Sequence, residues 1–545
     1  MSSQLENIGR GTLGMFFLIA VCYLLSNNKK AIKWKLVALG IFAQLMFAMG
    51  VLDTRVAGQP VFWVFFGAIL LYTIITRIIK IRSNNTALTF DNLSIVLVAA
   101  WQVVFFFGMI RSSRFANSSI VILLSIIIIA WLIRWLASRN TELLKWGILC
   151  SAAVLTVSIY TGVCDPAVFK VIIENISVAF VSLINLGHKG TEFLFGNLAN
   201  DTLGWGYIFA VQALPIIIFF AALSAVLYYL GILQKIVYLF AYLLHKMNIS
   251  GAESVSTAAN IFLGQTEAPV MIRPYLDKMT RSEILCIMVG GMANTAGSVL
   301  AAYVGFLGGS DESLRHYYAL HMLSQSIMSA PAAIVCSKML FPQPDHHLIT
   351  KDLTIPRQKL GDNFLDALSI GTTDGLKLAV NVGAMLIVFT AIMWLANGLL
   401  GWLGDITHIN ASINRVTEGR YETLSLNMIL GYFFAPVAWL IGVAKADMVA
   451  IGQLLGEKTI LNEFFAYISL AQMKQNNIIS DPRSLLIATY ALCGFANFAS
   501  IGIQIGGISQ LAPNQRKNLT ELGVKALIGG TIACLMCACI AGMLV

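Results

Sequence analysis

Apolar positions along this chain gather into long, almost unbroken runs rather than into stripes of helical or strand period. The plainest are Leu13–Leu25, Trp34–Met49, Val61–Ile75, Ser94–Ile110, Ser119–Ile133, Trp146–Val163, Ile208–Leu230, Ala379–Leu400 and Ala526–Val545. A helix needs about 17–25 apolar residues to cross a bilayer. The runs predict an all-α integral membrane protein with many spans. Two stretches are too polar or too broken to cross simply, Ser250–Leu276 and Thr423–Met448. Each has apolar flanks around a Gly/Pro tip, Gly264 to Pro269 and Gly431 to Pro436. Irregular backbone at membrane depth is tolerated where protein or a wet cavity surrounds it. Re-entrant hairpins near 250–279 and 423–448 are therefore expected.

The texture divides the chain. Residues 1–52 read as a helix pair and 53–165 as four further spans. From 166 to 545 the runs are broken and carry polar groups; Asn175–Phe195 is amphipathic and suits the interface, and Pro215 interrupts Tyr207–Leu230. Composition agrees with a membrane body: 58% of residues are hydrophobic and 12% charged, against about a quarter charged in soluble domains. The net charge of +9 does not point to nucleic acid, because the cations sit in short loops. Lys29, Lys30, Lys33 and Lys35 follow the first run, Arg77, Lys80 and Arg82 the third, and Arg134, Arg139 and Lys145 the fifth. Basic loops stay cytoplasmic, which places the N-terminus outside; Arg111 and Arg114 are the weak counter-signal. No cleavable signal peptide is expected. The cysteines are scattered through apolar runs and read as small buried hydrophobes, not metal ligands.

Two segments can be laid over each other. Arg281-Ser282 precedes Gly291-Met-Ala-Asn294-Thr-Ala, and Arg483-Ser484 precedes Gly494-Phe-Ala-Asn497-Phe-Ala. Upstream of each lies a carboxylate in an apolar setting, Glu267 and Glu463. Transporters are commonly built from two such repeats, often inverted, with the substrate at their interface on discontinuous helices. A carboxylate inside the bilayer usually faces a pathway or a partner. Gln265, Thr266 and Glu267 stand between Gly264 and Pro269, which suits an unwound turn presenting three polar side chains. The plainer readings are a helix start with Glu267 paired to Arg273, and Glu463 paired to Lys458 at a helix end. Asn497 and Ser500 are three apart and would share a helix face, as a ligand pair or as packing glue. Carboxylates accept from vicinal hydroxyls, while Gln and Asn donate and accept. A neutral polyol with a base edge fits; an anion does not.

At these residues the chain resembles the concentrative nucleoside transporter family. Gly264-Gln-Thr-Glu-Ala-Pro269 with Ile272-Arg-Pro-Tyr275 matches its first hairpin, and Gly290-Gly-Met-Ala with Ala296-Gly-Ser-Val299 its next helix. Gly456-x-Lys458-x-x-x-Asn462-Glu463-Phe464-x-Ala466-Tyr467 matches its best-known motif, and Cys493-Gly-Phe-Ala-Asn497-Phe with Ser500-Ile-Gly-Ile-Gln504 a fourth. The resemblance runs from about Ala167 to the end and over roughly Gly14–Met49. It implies that Gln265, Thr266 and Glu267 face the nucleobase beside Val299. Glu463, Asn497 and Ser500 would hold the ribose, with Phe495 nearby. A sodium ion would sit at Asn260, Leu263, Asn294 and Thr295, several through carbonyls. The resemblance also implies a homotrimer in the cell membrane, with nucleoside and lipid bilayer as partners and no nucleic acid. Gly264, Gln265, Ser298 and Val299 stand where relatives set base preference, and lean toward a broad range.

There are two departures. Asn294 stands where the family usually has Ser or Thr, so proton coupling is the alternative to sodium. The four runs in 53–165 match nothing in the family pattern; as an even number they preserve the orientation of the core. Rival classes are poorly served. No His-Glu-x-x-His, diphosphate motif or nucleophile elbow supports an enzyme, and single carboxylates in each half suit an occluded site better than a ring-lined channel. One sodium descending ~100 mV supplies about 2.3 kcal/mol and a tenfold gradient about 1.4, so one ion suffices for uphill uptake.

Overall fold

The computed structural model describes residues 2–52, 168–199, 208–309, 311–343, 361–417 and 419–544. The four additional runs expected within 53–165 lie outside the described residues. Those described form helices and no strand, and 7 helices are long and apolar enough to cross a membrane. The all-α membrane fold is borne out. Contacts divide the chain into two units, Met1–Leu45 with Ile176–Val545, and Met46–Asn175. Of the second, only the end of one helix and the start of another are described. The polar chemistry lies in the first.

The early helices are α1 (Ser2–Leu24), α2 (Trp34–Val51), α3 (Val168–Phe195), α4 (Leu214–Tyr229) and α5 (Ile232–His245). Then the chain breaks up. The helix α6 (Gly251–Ala259) starts on a capping box, in which Ser250 and Glu253 satisfy each other's N–H groups. It ends at Asn260, and after an irregular tip the turn Ala268–Ile272 packs back on it and runs on into Arg273–Leu276. Residues 250–276 are thus a helical hairpin. Next, α7 (Arg281–Ala293) and α8 (Gly297–Gly308) are separated by extended residues, and α9 (Glu312–Leu340) follows as one helix of 29 residues.

The same order recurs later. After α10 (Phe364–Ile406) and α11 (Ile409–Val416) come α12 (Leu426–Leu440), α13 (Met448–Ile460) and α14 (Glu463–Gln475). Then α15 (Pro482–Leu492) and α16 (Phe498–Leu511) flank a second break, and α17 (Arg516–Leu544) is again 29 residues long. The repeated Arg-Ser pairs tie each broken helix to the far end of the long helix behind it. Ser282 Oγ donates to the Phe341 carbonyl at 2.7 Å, and Arg483 donates to the Gly542 carbonyl at 2.9 and 2.7 Å.

One expectation fails. Residues 423–448 are not a hairpin, because Gly431 to Pro436 lies inside α12. The helix needs Gly431 for close packing: a Cβ added there would lie 3.0 Å from the Val449 carbonyl of α13, and one on Gly452 would fall on the Gly431 carbonyl oxygen. The tight link is Leu461-Asn462, across which α13 and α14 pack on each other. A glycine notch for a neighbouring helix and a glycine at a hairpin tip look alike in one sequence.

Burial separates inner from outer helices. About 78% of the most apolar window of α17 is buried, against 11% for α10. The inner helix touches α1, α7, α9, α15 and α16, whereas α10 packs chiefly along α4. Gly371 and Gly375, one turn apart on α10, lie against Ala225, Ala222 and Ala221, a small-residue contact suited to lipid surroundings.

Candidate functional site

The two helix breaks cross. The Phe495 N–H donates to the Asn294 carbonyl at 3.3 Å, joining them backbone to backbone. From α9, Gln325 Nε2 donates to the Ala293 carbonyl at 3.3 Å and to the Cys493 carbonyl at 3.2 Å. From α17, Cys534 Sγ reaches the same two oxygens, at 3.5 and 2.8 Å. The approach is close enough that Gly494, at φ +121°, has no room for a side chain: a Cβ would sit 2.7 Å from Cys534 Sγ. Carbonyls freed by breaking both helices thus find their donors at one point.

Hairpin tips meet the same crossing. The Gly297 N–H at the start of α8 donates to the Phe262 carbonyl at 3.1 Å. Gln265 Nε2 donates to Ser500 Oγ at 3.2 Å, linking a tip of the first half to a helix start of the second. Thr266 leans on Gly507 of α16, where a Cβ would stand 2.6 Å from its methyl. The Glu267 carboxylate accepts the Gly264 N–H at 3.2 Å, and its side chain is exposed. Val299 is buried in the first turn of α8, and Phe495 is half-buried.

In the second half, Glu463 is 3% exposed and both its oxygens are held. Asn497 Nδ2 donates to Oε2 at 2.7 Å and the Tyr303 hydroxyl to Oε1 at 3.1 Å. Asn497 is not on a helix face with Ser500, as their spacing suggested. It is the N-cap of α16, its Oδ1 accepting the Ser500 N–H at 2.8 Å, which turns its amide toward Glu463. The plainer readings of the carboxylates do not hold among the described residues. No ion pair joins Glu267 to Arg273, and Lys458 Nζ donates instead to the Ala491 carbonyl at 2.9 Å.

The four residues expected at a cation fall at two neighbouring helix ends. Asn260 and Leu263 sit at the end of α6, Asn294 and Thr295 at the end of α7. Asn260 Oδ1 is buried and has no donor. Asn294 Oδ1 accepts from Ser329 Oγ at 2.5 Å, and Thr295 Oγ1 lies 3.4 Å from Cys493 Sγ. Oxygens at helix C-termini suit a hard cation, and a buried oxygen lacking a donor suits one further. No group of three or more His, Cys, Asp or Glu residues forms a metal site among the described residues.

Sequence reasoning missed four side chains: Tyr303, Gln325, Ser329 and Gln504. Tyr303 stands a few residues past the repeat motif, with no pattern to flag it. Gln504 donates to the Met288 carbonyl at 3.0 Å and its Oε1 is buried without a donor; the signal was available, since it lies within a quoted family motif.

Broken helices and hairpin tips from two halves, meeting at one polar centre in a membrane protein, define a secondary-transporter architecture. Family models agree. Residues 321–542 match the Na+ dependent nucleoside transporter C-terminus, 210–310 the nucleoside recognition (Gate) model and 13–76 the Na+ dependent nucleoside transporter N-terminus. The last match runs beyond residue 52, so the run Val61–Ile75 falls within the family pattern. An uncharacterized transporter of Haemophilus influenzae is 42% identical over 372 residues, 67% of this chain and 83% of that one. Sodium/nucleoside cotransporter 1 of Rattus norvegicus is 39% identical over 371 residues, 65% of this chain and 53% of that one. The chain thus spans about half the length of its mammalian relatives. The structure of CNTnw in an inward-facing substrate-bound state has a TM-score of 0.69 and 28% identity, covering 99% of this chain and 98% of that one. The chain belongs to the concentrative, Na+-dependent nucleoside transporter family, and it is a multi-pass membrane transporter.

Proposed function

We propose that this chain imports nucleosides across the cell membrane by symport with sodium, and that it works as a homotrimer. The observation that carries the reading is the meeting of Gln265 with Ser500 and of Glu463 with Asn497 where the two breaks cross. An amide that can donate or accept stands on one side and a held carboxylate on the other. The first suits a base edge, the second a pair of vicinal hydroxyls. In this reading Gln265, Thr266 and Glu267 take the nucleobase with Val299 beside them. Glu463, Asn497 and Ser500 take the ribose, with Phe495 packed close. Sodium enters at Asn260, Leu263, Asn294 and Thr295, with the Asn260 Oδ1 as its readiest ligand. The hairpin at 250–276 and the α13–α14 pair joined at Leu461-Asn462 are re-entrant, in place of the one expected at 423–448, and the halves form an inverted repeat.

Uptake of labelled uridine and adenosine into liposomes tests this, under an inward sodium gradient, an inward proton gradient or neither. Uptake driven by sodium alone is expected. Uptake driven by protons alone would keep the nucleoside site and discard the sodium site. Folded protein that takes up neither nucleoside under any gradient would sink the substrate assignment.

A further inference from the structure

Two lysines are buried among the described residues. Lys338 pairs with Glu253. Lys458 has no carboxylate within ion-pair distance among the described residues, although it is only 2% exposed. Glu457 beside it is buried too, but makes no ion pair with it and accepts instead from Gln453 Nε2 at 2.8 Å. An ammonium buried without compensation is strongly unfavourable, so its surroundings must replace a counter-charge.

They do so with helix ends. Lys458 lies in the last turn of α13 and its acceptor, the Ala491 carbonyl, in the last turn of α15. Carbonyls at helix C-termini carry partial negative charge. Glu463 opens α14, which packs on α13 across the short Leu461-Asn462 link. The first half repeats this geometry without a side-chain cation. There the last turns of α6 and α7 meet, with Gly290 against Thr257 and Asn260, and the Asn260 oxygen lacks a donor. In both halves the meeting is between the first arm of a hairpin and the first part of a broken helix.

We propose that the second half keeps the counterpart of the coupling-ion position and fills it with the ammonium of Lys458, a cation tethered to the protein. The inference rests on the sodium reading given above. It assigns Lys458 the charge balance of the carboxylate meant for ribose, and it leaves one position for a free ion. Shortening Lys458 opens a second cation site.

The test is binding of labelled nucleoside to purified protein while sodium, lithium or methylammonium is varied at constant ionic strength. Wild type is expected to depend on sodium with a Hill coefficient of about 1. Lys458→Ala should bind on the order of 100-fold more weakly at sodium that saturates wild type. Binding should return at higher sodium or methylammonium, with the sodium coefficient rising toward about 2. Lys458→Met fills the space with an apolar group and should lose binding without recovery. Wild-type affinity in Lys458→Ala, or a folded Ala variant that no cation restores, would overturn the proposal. If the Ala variant does not fold, Lys458→Met decides: loss insensitive to cations supports the proposal, and wild-type binding overturns it. Wild type without sodium dependence would defeat the sodium reading separately, since the cation response of Lys458→Ala is still measured.

Discussion

Tyr303→Phe removes one oxygen from the site and little else. The Tyr303 ring is stacked on Tyr467 with centroids 4.2 Å apart and meets Phe464 edge-on at 5.0 Å. Phenylalanine keeps both contacts. What goes is the 3.1 Å hydrogen bond to Glu463 Oε1, one of two that orient the carboxylate. A hydrogen bond to a charged group contributes about 1.5–3 kcal/mol. The lower end applies, because Asn497 still holds Oε2, so a tenfold weaker affinity is expected at about 1.4 kcal/mol. The effect should appear in KM more than in the maximal rate, since Glu463 is proposed to act in binding. The assay is concentration-dependent uptake in liposomes, beside Tyr467→Phe as a control. The Tyr467 hydroxyl donates to the Thr489 carbonyl at 2.7 Å rather than to Glu463, so its loss should lower thermal stability and leave KM alone. An unchanged KM in Tyr303→Phe, or equal rises in both variants, would refute the role of the hydroxyl.

Four other outcomes are expected. Glu463→Gln should abolish uptake in protein that still folds and inserts; normal uptake would remove Glu463 from the site. Asn294→Ala should raise the sodium needed for half-maximal uptake more than it alters the ranking of nucleosides, and an unchanged sodium curve would move the ion elsewhere. Lys338→Met leaves Glu253 buried and unpaired, which costs about 3–5 kcal/mol. Thermal melting should show the loss, with partial recovery when Glu253→Gln is added. Gln325→Leu unhooks the two breaks, so titration calorimetry should find nucleoside affinity less responsive to sodium than in wild type; an equal response would show that the amide does not link the sites.

Much of the fold and family was legible because the bilayer imposes simple constraints. Apolar runs of that length belong in lipid, and polar residues inside them stand out. The sodium and ribose candidates fall near helix breaks because Gly-x-Ala-Asn-x-Ala marks both. What stayed hidden depends on partners distant in sequence. Gly431 reads as a hairpin tip until α13 is seen passing over it. Asn497 reads as a helical residue until its cap to Ser500 is seen, and only the cap explains why its amide faces Glu463. Tyr303 lies 160 residues from the carboxylate it orients. The Glu463–Lys458 pairing failed for a related reason: chain proximity suggested an ion pair, while the lysine found the end of α15 instead.

The crossing itself bears on how an ion and a nucleoside affect each other. The proposed sodium ligands Asn294 and Thr295 belong to the first break, the proposed ribose ligand Asn497 to the second. Between them run the Phe495 to Asn294 backbone bond, the Thr295 to Cys493 contact and the double donation from Gln325. Extended residues in a break have no ladder of their own to hold them, so each break takes its shape partly from the other. An ion that fixes Asn294 also fixes the carbonyl on which Phe495 hangs, two residues before Asn497. Coupling of this kind is reciprocal: whatever the ion adds to nucleoside affinity, the nucleoside adds to ion affinity. A transporter needs that reciprocity, because a carrier that moved either solute alone would dissipate the gradient. Two helices broken at one point satisfy their freed backbone groups there, and the same bonds are the route by which the two proposed sites would answer to each other.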